Sequence, residues 1–176
     1  MKAMILFILT VNLSIFMSCC STLFPDEKLT MQKKDYKGNE LRIDGYYYHH
    51  QKDGNYEFTL VVFLYRDGII ISTRAYPSLD LSIVETEMIK EYDEIKKRKV
   101  SWGVFGINDN RIEYEEWTSP TERMTLRRNT GYIENDTTFR IVEHFFSYNR
   151  KTYQVNQVWH FKPFDNKPDS TNVYIK

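Results

Sequence analysis

His144, Gln157 and Trp159, with Phe146 and Arg140 nearby, are the side chains whose types could do more than fill a core. Indole and phenyl rings supply a flat apolar wall. An imidazole, an amide and a guanidinium supply hydrogen bonds that orient a polar head group. That chemistry holds a small apolar or amphipathic molecule; it does not transform one. Pairing Tyr148 with Tyr153 in a hairpin puts Arg140, Val142, His144 and Phe146 on one face with Val155, Gln157, Trp159 and Phe161. This face carries the larger apolar load and is assigned to the interior. Buried there, His144 and Gln157 must bond each other or meet a ligand. A one-residue bulge would exchange the faces and bring His160 inside instead.

Catalysis and metal binding find no comparable set. The chain has no glycine-rich phosphate loop, no Cys-x-x-Cys and no His-Glu-x-x-His, and no Ser or Thr stands in a nucleophile elbow. Adjacent His49 and His50 point to opposite faces of a strand, which keeps them from converging on a metal. Glu113, Glu115 and Glu116 invite comparison with the paired carboxylates of glycoside hydrolysis. Alternation, however, puts Glu113 and Glu115 on a wetter outer face and Glu116 on the other, at a fraying strand end. No catalytic residue, metal or cofactor is expected, and no enzyme. Lys+Arg and Asp+Glu both number 24, so net charge gives no reason to expect nucleic acid.

The elements that would position these residues are mostly strands. Trp102 to Trp117 reads as a hairpin turning at Asp109-Asn110, with Ile107 opposite Ile112 and Phe105 opposite Tyr114. Phe105, Ile107, Ile112 and Tyr114 then share the buried face. Upstream, Leu41–His50, Tyr56–Arg66 and Ile69–Ala75 read as strands, and Asp67-Gly68 turns Leu64 opposite Ile71. A helix follows: Ser82 to Glu85 is a capping-box pattern, and Leu81, Val84, Met88, Tyr92 and Ile95 form one apolar stripe. Downstream, Arg123–Glu134, Thr137–Tyr148 and Tyr153–Lys162 complete eight strands, the first of these three interrupted near Asn129–Gly131. Short hairpins in succession suit an antiparallel up-and-down barrel, because closure removes exposed edges.

The N-terminus carries an address. Lys2 precedes an apolar run from Met4 to Met17, too short to span a membrane comfortably and suited to a signal-peptide core. It ends in Phe16-Met17-Ser18-Cys19-Cys20, which resembles a bacterial lipoprotein box with Cys19 as the lipidated residue. Both cysteines of the chain fall here, so the domain has no internal disulfide. The resemblance implies a membrane anchored through lipid, in the bacterial cell envelope and at the outer membrane. The layout also resembles lipocalin-like (calycin) barrels. Gly45-Tyr46-Tyr47 is similar to their Gly-x-Trp signature with Tyr replacing Trp, although the helix stands after the third strand and not the last. The expected organisation is a signal at 1–18, a tether at 19–39, the barrel at 40–165 and a tail at 166–176. Two functions compete: a module holding a small ligand inside the barrel, and an interaction subunit or inhibitor of an envelope complex that works through its outer surface.

Overall fold

The computed structural model describes residues 25–120 and 123–176. The expected signal peptide and Cys19 lie outside them. Eight antiparallel strands close a barrel in sequence order: β1 (Gly45–Asp53), β2 (Tyr56–Leu64), β3 (Ile69–Ser72), β4 (Trp102–Asn108), β5 (Arg111–Thr118), β6 (Thr125–Asn135), β7 (Thr138–Phe146) and β8 (Lys151–Pro163). Helices α1 (Leu81–Lys90) and α2 (Tyr92–Lys97) are inserted between β3 and β4. Among the described residues, no helix is long and apolar enough to cross a membrane.

The β4–β5 hairpin has the expected register, with Ile107 opposite Ile112 and Phe105 opposite Tyr114. Asp109 supplies the left-handed turn residue at φ 54°. The β2–β3 turn differs by one position: Leu64 faces Ile70, not Ile71. Arg66, Asp67 and Gly68 make a longer loop, in which Gly68 sits at φ 77° and the Tyr65 N–H reaches the Ile69 carbonyl at 3.0 Å. Gly45 has a steric reason to be glycine, since a Cβ there would lie 2.0 Å from the Lys162 carbonyl oxygen. That is the β1–β8 seam, closed by four residue pairs, Gly45–Tyr48 with His160–Pro163. Just above it, the His49 Nδ1–H donates to the Val158 carbonyl at 2.9 Å.

The barrel wall carries a core on each side. Inside, Tyr47, Val62, Ile70, Phe105, Tyr114, Phe139 and Trp159 are all buried. Outside, Tyr46, Phe63, Ile71, Trp102, Val104 and Trp117 are covered by Val84, Met88 and Ile95 of the helices. The expected wetter outer face is therefore largely dry. The helical stripe seats on the wall, while the capping differs from expectation: Asp80, not Ser82, is the N-cap, and it accepts from the Ser82 N–H at 2.9 Å. A break at Glu91 separates α1 from α2.

Residues 25–44 and 164–176 are irregular yet belong to the folded unit. The stretch expected as a tether lies across the wall from residue 25 onward. Its Thr30 and Met31 N–H groups donate to the Glu115 carboxylate at 2.5 and 3.0 Å, and Trp117 Nε1–H donates to the Glu27 carbonyl at 2.7 Å. Tyr36 and Leu41 then close the barrel at the end where β1 begins. Aperiodic segments give no sequence signal for such packing, because backbone groups and single side chains make it. In the tail, Lys167 Nζ donates to the Ile43 and Leu64 carbonyls at 2.7 and 2.5 Å and lies 3.9 Å from the Tyr65 ring centre. Burial draws that amine down to about 8.

Candidate functional site

One end of the interior is shut by Tyr36 and Leu41, and the middle is filled by aromatic and branched side chains. The opposite end is polar. There Glu116 projects inward from β5 with its carboxylate buried, and Arg127 from β6 stands directly across. Arg127 Nε and Nη2 both donate to Glu116 Oε1, at 3.0 and 2.7 Å. Asn129 Nδ2 adds a third donor to that oxygen at 3.1 Å, and Ser72 Oγ donates to Oε2 at 2.5 Å. The Arg127 side chain remains 37% exposed, so the cluster sits at a mouth and not in a sealed core.

His144, Gln157 and Trp159 join this cluster. Together with Ser72, Tyr114, Glu116 and Arg127 they line a cavity of about 50 Å³. Three buried polar atoms in the cluster lack a hydrogen-bond partner among the described residues: His144 Nδ1, Trp159 Nε1 and Asn129 Oδ1. Tyr148 and Tyr153, half-exposed, form an aromatic rim with Phe146, at centroid distances of 5.8 and 5.6 Å from its ring. His144 lies 6.4 Å beyond Phe146. Phe146 thus joins the aromatic rim to His144 of the polar cluster.

Of the five expected site residues, His144, Phe146, Gln157 and Trp159 meet at this end, and Arg140 does not. Arg140 points outward to Glu134 and Asn156. A bulge explains the difference. Val142 has no partner between the β6 pairs Gly131–Ile141 and Thr130–Glu143, so the strand's face changes there. Phe139 and Ile141 face inward before it, His144 after it. The hairpin register differs as well: His144 faces Tyr153, and Tyr148 lies in the turn, not opposite Tyr153. Faces on β8 are as expected, with Gln157, Trp159 and Phe161 turned inward, and His160 pairs on the seam.

Arg127 takes the place expected for Arg140, and Glu116 is a buried anchor, not a fraying end. Two acidic neighbours, Glu115 and Glu116, face two basic ones, Arg128 and Arg127. That cross-strand complement is the sequence signal that could have found the pair. Glu115, on the outer wall, is equally buried and accepts from Arg128 at 2.9 Å. The two carboxylates are on opposite sides of one wall, which removes them as a glycosidase pair. No group of His, Cys, Asp and Glu among the described residues could hold a metal ion.

Burial pushes the His144 imidazole down to about 4, and the Arg127 charge adds to the effect, while Glu116 and Gln157 oppose it. The ring is therefore neutral in the folded state over most of the pH range. Between about 4 and 6.5 the unfolded chain binds a proton at this site that the folded chain does not, so stability rises with pH there. Acidification through that window should remove up to about 3 kcal/mol. His49 and His50, both also lowered by burial, act in the same direction. Urea titrations at successive pH values should show a shallower slope for His144→Gln than for the parent. Parallel slopes would mean that the ring is solvated.

Comparisons with protein-family models, with curated proteins and with solved structures found no match, so the reading of this site rests on its own geometry.

Proposed function

We propose that this chain is a lipid-anchored lipoprotein of the bacterial outer membrane whose barrel holds a small amphipathic ligand at its open end. Arg127, His144, Gln157 and Trp159 orient the polar head, and Phe146, Tyr148 and Tyr153 support the apolar part. The observation that carries this reading is the group of unpartnered buried polar atoms beside the cavity. Leaving such atoms unmet costs about 1–3 kcal/mol each, which a water or a ligand recovers. The filled interior limits the ligand. Sites that swallow a drug-sized molecule measure roughly 300–1,000 Å³, so only a head group enters here and the rest stays at the rim.

Binding is tested by titrating the parent and the Arg127→Met and His144→Ala variants with lipids, sterols and aromatic metabolites. Saturable binding by the parent, weakened in both variants, is the expected result. Equal binding by folded variants would move the site elsewhere. Anchoring is tested separately by Cys19→Ala, which should release the protein into the soluble fraction; unchanged membrane fractionation would remove the lipid anchor.

A second reading, as an interaction subunit of an envelope complex, has its own support on the outer wall. There the terminal segments leave an open groove of about 920 Å³, lined in part by Leu29, Met31, Trp117 and Tyr174. Failure of every ligand in the panel would favour it.

A further inference from the structure

We infer that the head group received at the barrel mouth is an uncharged carbonyl, of the carboxamide class, carried on a flat apolar body. This rests on the mouth being the ligand site and adds the chemistry of the ligand.

Charge comes first. The Glu116 carboxylate is already met by Arg127, Asn129 and Ser72. His144 is neutral, so the cluster carries no net charge for an ionised ligand to answer. A carboxylate buried beside it would keep the full penalty of an unpaired ion. Donor and acceptor inventory comes second. Trp159 Nε1–H can only donate, and its residue is 3% exposed. It therefore calls for an acceptor such as a carbonyl oxygen. His144 offers the reverse. Its Nδ1 lines the same cavity without a partner, and in the tautomer protonated at Nε2 it accepts an N–H. A carboxamide carries both complements in one planar group. Size comes third. A cavity of about 50 Å³ takes a head of a few heavy atoms. The Phe146, Tyr148 and Tyr153 rings suit a flat body.

The three indoles provide a clean readout. Trp102 Nε1–H donates to the Lys96 carbonyl at 2.9 Å and Trp117 Nε1–H to the Glu27 carbonyl at 2.7 Å, while that of Trp159 is unpartnered. Indole N–H resonances of the full chain are followed by NMR at pH 7 during titration with benzamide and, separately, sodium benzoate. Benzamide should shift the Trp159 resonance saturably and leave the other two in place. Benzoate should bind at least about tenfold more weakly. A Tyr153→Ala variant should weaken benzamide and keep the indole pattern of the folded parent. Benzoate binding as tightly as benzamide would overturn the uncharged class and leave the mouth as the ligand site. No Trp159 shift with benzamide, while another panel molecule produces one, would overturn the carboxamide alone. No shift from any probe would mean that the cavity holds water only, and would overturn both.

Discussion

Met88→Asp should melt about 6–20 °C below the parent, the largest loss expected from any single change on the helices. Met88 is fully buried between α1 and the outer wall, in the same cluster as Tyr46, Phe63 and Ile95. An aspartate there would lose that packing and bury a carboxylate with no partner. Together these cost about 3–5 kcal/mol. Ile89 is the natural control, since it follows Met88 on the same helix and is 42% exposed. Ile89→Asp should move the melting temperature by a degree or two. Equal effects at the two positions would show that the helix is not seated on the wall.

The second large effect belongs to Glu116. Glu116→Gln keeps the shape but removes the charge that accepts from Arg127 and Ser72, and should cost about 2–4 kcal/mol in urea unfolding. Arg127 can turn its exposed part to water, which keeps the loss below that of a fully sealed pair. In an Arg127→Met background the same substitution should cost measurably less, and the difference is the coupling between the two. Strictly additive losses would mean that the ion pair contributes nothing beyond its separate parts. Glu115 makes a useful contrast. Its partners lie on the outer wall, so its loss should loosen residues 30–31 without touching the mouth.

The barrel was legible in sequence because its turns are written in Asp, Asn and Gly and its strands alternate. Phe105, Ile107, Ile112 and Tyr114 could be placed opposite one another from the Asn108–Asn110 turn alone. Register failed where one residue more or less decides it. At Gly68 a longer loop shifted β3 by one, and at Val142 a bulge turned Arg140 outward. A bulge adds a residue without changing residue type, so alternation runs straight through it. His144, Gln157 and Trp159 were still placed on the inward face, because β8 keeps its faces and the bulge precedes His144. Arg127 and Glu116 were missed for a different reason. Charged residues near a strand end read as solvated until the opposite strand is known to carry their complement. The outer core was hidden similarly: nothing in residues 25–41 or 164–176 has a period that announces a buried face.

The four-pair seam between β1 and β8 has a kinetic meaning. Every other neighbouring pair of strands in the barrel is consecutive in sequence, whereas the seam joins residues more than a hundred positions apart. Its loop-closure entropy can be repaid only when the rest of the sheet is in place, which makes it the last joint to form and the first to part. Lys167 binds the Ile43 and Leu64 carbonyls near the foot of that joint, but above Tyr48 the His49–Val158 bond bridges the two strands. Momentary parting there would uncover Trp159, whose ring lies 5.7 Å from that of His49. Such parting is local unfolding, in microseconds or longer, far slower than the flipping of a rim tyrosine.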